Sequence, residues 1–343
     1  MITNKPLASL SLDLDNLWSY MKTHGDKGWE SFPSYLDIVV PRVLDFLDNR
    51  GLKITFFVVG QDAALEENHN AIRSIAEAGH EIGNHSFNHE PWLHLYSEEQ
   101  IEAELSKTEE HLERVTGYKT IGFRGPGYSL SLSVLRVLAR RGYRYDASTL
   151  PTFLGPLARA YYFMTTKLSP EEKKNRKLLF GQLRDGLRPI RPYKWQIDGH
   201  AENLIEIPVT TMPLFRIPFH VSYILYIYRF SPVLARVYFR LAMKLCQLTG
   251  THPSLLLHPL DFLGGNDVKE LAFFPAMNLN GEEKIKLVSD ILSIYAEYFT
   301  IVPMGRHARS ISRESHIQTV EPKFKFVTNA SVIDSLRAER IEA

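Results

Sequence analysis

The chain has 343 residues, 44% hydrophobic and 23% charged, a size that can bury one large core in a single α/β domain. Lys and Arg number 40 against 39 Asp and Glu, a net charge of +1, so no field of one sign gathers nucleic acid or another polyanion, and electrostatic targeting has to be local. The lone cysteine, Cys246, excludes an internal disulfide and a thiolate metal site, leaving His and carboxylate as the only ligands for an ion. The stretch Met1 to Leu10 has one Lys and no long apolar run before the first strand pattern; it lacks the anatomy of a signal peptide, and a cytoplasmic protein is expected.

Short apolar runs, several with β-branched residues, predict strands at Leu7–Leu14, Ile54–Val59, around Glu81–Gly83, and at Thr120–Phe123, Leu204–Val209, Ser254–Leu257 and Phe299–Val302. Helical periodicity falls between several of them, at Tyr35–Asn49, Asn70–Ala78, Ser97–Val115, Ser131–Arg140 and Gly281–Tyr298. Ser97 with Glu98 and Glu99 marks a helix start, and Gly79, Gly117 and Gly142 mark ends. Strand alternating with helix predicts a parallel sheet, here a distorted (β/α)7-type barrel with chemistry at strand C-termini.

The barrel is expected over residues 1–304, with insertions at about 151–203 and 213–250 and a peripheral tail over 305–343. The first insertion carries a charged run at Glu171–Lys177, read as a solvated helix face. In the second, Arg236, Arg240 and Lys244 recur every fourth residue among Leu234, Val237, Tyr238, Leu241 and Leu245. That is a basic amphipathic helix, which serves either as a helix packed on the barrel with a wetted basic stripe or as a contact with a membrane surface. The charge-free run Ile217–Tyr228 is too short to cross a bilayer.

Five polar sites fall at predicted strand ends, in barrel order. In Asp13-Leu14-Asp15 alternate side chains share a face, so both carboxylates point into one cavity; such a pair also occurs in glycosyltransferases that hold a nucleotide sugar through a divalent ion, or serves structure alone. In His85-Ser86-Phe87-Asn88-His89 the four-residue spacing predicts two imidazoles on one side of a helical turn, able to take two corners of a zinc-type site. A further carboxylate would complete three ligands and leave open positions for water and substrate. Arg124-Gly125-Pro126-Gly127-Tyr128 offers a guanidinium for a carboxylate and backbone N–H groups for an oxyanion, or is an ordinary strand-to-helix turn. Asp146 and His258, after Tyr143-Arg144-Tyr145 and Leu255-Leu256-Leu257, complete the set.

With these motifs, above all Gly79-His80-Glu81-Ile82-Gly83-Asn84-His85-Ser86 and His89, the chain resembles the polysaccharide deacetylase superfamily (NodB homology, carbohydrate esterase family 4) over residues 7–150 and 204–304. The resemblance implies a metal-dependent carbohydrate N-deacetylase, a hydrolase holding a divalent metal, most often Zn2+, with Co2+, Mn2+ or Ni2+ as substitutes. Carried over by position, Asp15, His85 and His89 would be ligands and Asp13 the base that takes a proton from water. Arg124 and Asp146 would hold that base, His258 would protonate the leaving amine, and Gly127 or Tyr128 would supply the oxyanion donor. Asp13-Leu14-Asp15-Asn16 departs from the usual adjacent aspartates followed by Gly, Gly127-Tyr128 stands where Pro-Tyr is common, and the Trp usual after the fourth motif is missing. The first departure resembles a divergent branch, the polyprenyl-phosphate-sugar deformylases and deacetylases, as does Ile207-Pro208-Val209-Thr210. The expected substrate is therefore an N-acetyl or N-formyl amino sugar linked to lipid, met at the inner membrane face through the 213–250 segment. Deacetylation of a peptidoglycan- or chitin-like polymer, or glycosyl transfer through Asp13 and Asp15, are the alternatives.

Overall fold

The computed structural model describes residues 5–168, 183–197 and 204–324; Glu171–Lys177 and the end of the expected tail lie outside them. In chain order the elements are β1 (Leu7–Leu14), α1 (Leu17–His24), α2 (Leu36–Asp48), β2 (Thr55–Val58), α3 (Gly60–Ala64), α4 (His69–Glu77), β3 (Glu81–Asn84), α5 (Glu98–Thr116), β4 (Gly122–Phe123), α6 (Leu132–Arg140) and β5 (Tyr145–Asp146). They continue with α7 (Gly155–Thr165), β6 (Tyr193–Trp195), β7 (Ile205–Glu206), α8 (Val221–Tyr228), α9 (Pro232–Leu248), β8 (Ser254–Leu257), α10 (Gly281–Tyr298), β9 (Thr300–Val302), α11 (Met304–Ser312) and β10 (Thr319–Val320).

The sheet runs β10-β6-β7-β5-β4-β3-β2-β1-β8, with β9 also on β1. All pairings are parallel except β6 with β7. Seven strands, β1 to β5 with β7 and β8, curve into a distorted (β/α) barrel. Thr210, past the end of β7, closes the gap to β8: its N–H donates to Ser254 O at 3.1 Å, and its Oγ1 accepts from Ser254 N at 2.8 Å.

Parity in β1 organises the two faces. Ala8, Leu10, Leu12 and Leu14 join the main core cluster with Val39, Val43, Phe46 and Leu287 of the flanking helices. Ser9, Ser11 and Asp13 take the other face, as alternation requires. There Ser11 and Asp13 meet the Arg124 guanidinium, which lies over the Phe57 ring at 4.5 Å. Two glycines make room for these interior rings. A Cβ on Gly83 would stand 2.5 Å from the Phe57 ring, and one on Gly122 would stand 1.9 Å from the Tyr145 ring; large side chains inside the barrel are matched by absent ones on the next strand.

Residues 305–320 differ from the expected peripheral tail. In α11, Met304, His307, Ala308 and Ile311 are buried, and β10 extends the sheet at β6. The first turn of α11 meets a barrel-interior carboxylate: Glu81 Oε2 accepts from Gly305 N at 2.8 Å while Oε1 accepts from Tyr145 Oη at 2.6 Å, an anion at a helix N-terminus. The irregular composition after Gly305 hid this because a two-turn helix carries little periodicity.

His307 sits fully buried with Nδ1 3.0 Å from Ser9 Oγ. Burial, with the nearby His252, pushes its ring down to about 3. The folded chain therefore keeps this imidazole neutral, whereas the unfolded chain protonates it below about pH 6.5. The unfolded state binds the extra proton between those values, so stability falls as pH drops from about 6.5 toward 3. Denaturant titrations between pH 7 and 4 should show a shallower loss for His307→Asn than for the parent; equal slopes would contradict this account.

Candidate active site

Leu14 ends β1 in the core, and Asp15 is the first residue past it. Its carboxylate Oδ1 lies 3.0 Å from His89 Nε2 and 3.3 Å from His85 Nε2, and the three residues form one group whose ligand atoms lie within 4.8 Å of one another. Oδ1 of Asp15 is buried and has no aligned hydrogen bond, and His89 Nδ1 is likewise buried without a partner. Burial alone would raise the Asp15 carboxyl, but the charges and contacts of His89 and His85 hold it well below the usual carboxylate range. An ion bound tetrahedrally at about 2.0–2.1 Å from each ligand sets ligand atoms roughly 3.3 Å apart. Two imidazoles and a carboxylate at this spacing, with an orphaned oxygen at the centre, fit a divalent ion.

The surroundings fix these ligands. His85 Nδ1 faces Arg124 O at 2.7 Å, so Nδ1 carries the proton and Nε2 is free for a metal. The five-residue His motif is a loop and not the expected helical turn: Ser86 and His89 have φ of 59° and 51°. Asn84 Oδ1 accepts from Ser86 N, and Glu104 Oε2 accepts from both Phe87 N and Asn88 N. These acceptors satisfy buried backbone donors and hold the left-handed residues that bring the two rings together. On the other side, Tyr35 Oη donates to Asp15 O at 2.5 Å, while Asn16 Nδ2 donates to Asp62 Oδ1 at 2.8 Å. Asn16, Tyr35, Asp62 and Glu104 are supporting residues that the motif reading did not reach. Only the cap-type Asn16 directly before α1 left a local signal.

Asp13 has one oxygen on Arg124 Nη1 at 2.7 Å, both side chains being buried. Arg124 also donates from Nε to Ala147 O and from Nη1 to Ser11 Oγ. Asp146 does not join them, contrary to expectation. Tyr145 points into the barrel, so the next residue of β5 points out, where Asp146 accepts from Ser148 Oγ at 2.5 Å. There it faces Glu206, and burial with their mutual repulsion pushes Glu206 well above the carboxylate range. Asp146 thus sits with Glu206 on the outer face of the sheet instead of bracing Asp13.

His258 follows Leu257, which is in register with Leu12, so it stands beside Asp13 on the neighbouring strand. Its Nδ1 lies 3.2 Å from Ser222 Oγ, and Ser222 donates to Asp261 Oδ1. Nδ1 is thus engaged and Nε2 is the nitrogen left over. The buried ring of His220 lies 5.8 Å from that of His258; burial holds it well below the usual imidazole range. In the Arg124 turn, Tyr128 N–H is spent on Gly125 O at 3.0 Å, which leaves Gly127 as the oxyanion-donor candidate. Gly127, Tyr128 and His220 line one end of a cleft of about 220 Å³, continued by Thr149, Leu154 and Ala158 and by Arg184 and Arg188. Asp13, Asp15, His85, His89, Arg124 and His258 are not among the residues that line this cleft.

The family model described as polysaccharide deacetylase matches residues 26–145, the stretch that carries His85, His89 and Arg124. Over this segment the chain is similar to polysaccharide deacetylases. A peptidoglycan-N-acetylglucosamine deacetylase of Bacillus cereus is 40% identical over 86 residues, 25% of this chain and 30% of that protein. The peptidoglycan-N-acetylmuramic acid deacetylase PdaA of Bacillus subtilis is 35% identical over 105 residues, 30% of this chain and 39% of that protein. The chain thus spans about a third of the length of the curated relatives it matches. A solved structure from Mycobacterium smegmatis, of a protein assigned as a polysaccharide deacetylase, has a TM-score of 0.61 at 19% identity over 95% of this chain and 96% of that one. That likeness shows the barrel fold. Asp13 and Asp15 lie upstream of the matched deacetylase segment, and the sheet, through β1 beside β2, brings them to it.

Calorimetry with Zn2+ should give one ion per chain, lost in Asp15→Asn and in His85→Ala. Glu104→Gln, which loosens the loop without touching a ligand, should weaken binding roughly 10- to 100-fold. Retention of full affinity in Asp15→Asn would contradict the assignment of the ligands.

Proposed function

We propose that this chain is a metal-dependent hydrolase that removes an N-acetyl or N-formyl group from an amino sugar. The observation that carries the reading is the adjacency of two carboxylates in different roles: Asp15 against two imidazoles, Asp13 against a buried guanidinium. A divalent ion held by Asp15, His85 and His89, Zn2+ by the chemistry of the donors, would supply Lewis-acid polarisation of the acyl carbonyl and acidify water.

The protein's own groups divide the rest of the work. Arg124 anchors one oxygen of Asp13, leaving the other to accept a proton from the attacking water as general base. Gly127 N–H is the donor for negative charge developing on the carbonyl oxygen. His258, oriented from behind by Ser222 and Asp261, delivers a proton from Nε2 to the departing nitrogen. An amide needs that proton because an amine anion is a very poor leaving group.

The cleft favours one sugar unit over a long chain. Its volume of about 220 Å³ and its walls from α7 and the 183–188 turn enclose a terminal residue, whereas a polymer needs an open groove. A lipid-linked amino sugar at the inner membrane face is therefore the substrate class we favour over peptidoglycan itself. Glycosyl transfer through Asp13 and Asp15 would leave His85, His89 and His258 without a task. Mass spectrometry of acetate or formate released from free, polymeric and polyprenyl-linked N-acyl amino sugars tests the reading. The lipid-linked compound should turn over fastest, and Asp13→Asn should lose roughly 10²-fold or more in kcat while binding the ion as the parent does. Release of neither acid from any of them, or loss of the ion in Asp13→Asn, would contradict it.

A further inference from the structure

The elements that wall the cleft carry large apolar side chains on their outer surfaces. On α7, Leu157, Tyr161 and Met164 are exposed, Met164 by 83%, although Leu154, Gly155 and Ala158 line the cleft. The 183–188 turn contributes Arg184 and Arg188 to the cleft and exposes Leu183 and Leu187. The neighbouring loop holds Leu214 and Phe215 out by 76% and 60%. This loop is built to do so: Leu214 and Arg216 have φ of 71° and 56°, Arg216 Nη1 donates to Arg188 O, and Arg216 O accepts from Thr152 Oγ1. Tyr238 Oη, donating to Pro218 O at 2.8 Å, ties the loop to α9.

Helix α9 is apolar on two sides. Ala235, Phe239, Ala242, Met243 and Cys246 are buried on the barrel. The outer stripe, Val233, Leu234, Val237 and Leu241, is exposed and continues Phe230 at the end of α8. The basic stripe seen in the sequence is exposed beside it but partly neutralised, because Arg236 pairs with Asp290 and Arg240 with Glu297 on α10. Exposed apolar area on this scale around a site marks a binding surface.

Charge says what the surface meets. No Asp or Glu occurs from Ala147 to Pro170 or from Ile207 to Leu260, whereas Arg159, Arg216, Arg229 and Lys244 do, as does Lys167, which pairs with Asp26, in a chain whose overall charge is +1. The exposed apolar side chains of α7, the 214–215 loop and α9 thus sit on segments without acidic residues, and Asp185 in the 183–188 turn is paired with Arg188, a pattern that suits an anionic lipid headgroup layer. No helix among the described residues is long and apolar enough to cross a membrane.

We propose that this apolar, acid-poor collar seats the protein on the surface of an anionic bilayer with the cleft beside the lipid headgroups. The inference rests on the deacylase reading only in what it delivers, an amino sugar carried on a lipid. The collar residues themselves do no chemistry.

Sedimentation of the full chain with phosphatidylcholine vesicles, with and without phosphatidylglycerol, tests the surface apart from the reaction. The parent should pellet with the anionic vesicles. Leu214→Glu combined with Phe215→Glu should bind at least tenfold more weakly, at unchanged rates on a water-soluble N-acyl amino sugar. Val233→Glu with Val237→Glu, on a regular helix, should weaken binding too and guards against misfolding of the loop variant. The inference is overturned if the parent stays in the supernatant, if both folded double variants pellet as well as the parent, or if the parent is a dimer that these substitutions split. Vesicle binding without turnover would instead remove the deacylase reading and leave the surface standing.

Discussion

The structure turns on one buried carboxylate oxygen. Oδ1 of Asp15 is out of reach of water, faces two imidazole nitrogens and has no aligned hydrogen bond. A buried anion left this way is costly, and a cation between the three groups is the arrangement that offsets the cost. The neighbouring architecture serves this point. The end of β1 delivers Asp15, a loop forced into left-handed backbone delivers the two rings, and Arg124 O fixes the tautomer of one of them.

Asp13 shows how two residues separated by one leucine acquire different chemistry. Strand alternation gives both carboxylates the same face, but the guanidinium of Arg124 reaches only the first. Asp13 is thereby held as a hydrogen-bonded anion beside Asp15. Arg124 in turn owes its place to room left on neighbouring strands, since Gly83 admits the Phe57 ring over which it lies and Gly122 admits Tyr145. A chain of steric allowances inside the barrel thus runs to the catalytic candidates.

Much of this was legible in residues alone because the signals were local. Leu7–Leu14, Ser254–Leu257 and Gly281–Tyr298 coincide with their elements, as hydrophobic alternation and a long amphipathic period allow. The distant ligands were assembled from motifs at strand ends, where barrel geometry makes them converge. What stayed hidden depended on tertiary context. Spacing could not show that His85 to His89 would be a loop with two positive φ angles, since its cause is Glu104, on a helix further along the chain. Asp146 looked like a companion of Arg124 until the inward Tyr145 fixed the parity of β5. His220 lies in an aromatic stretch without any motif, and the packing of α11 depends on Glu81, 224 residues earlier in the chain than Gly305.

The two insertions read as one device. Each walls the cleft with one face and carries apolar side chains outward with the other, which separates them from the metal-ligand chemistry they surround. The claim beneath all of this is that two imidazoles and a carboxylate hold a single ion. X-ray absorption at the zinc edge of the metal-loaded protein tests it most directly. The account predicts two imidazole ligands at about 2.0–2.1 Å, the remaining positions filled by oxygen and no sulfur scatterer. An imidazole count other than two, or a shell of oxygen alone, would contradict it.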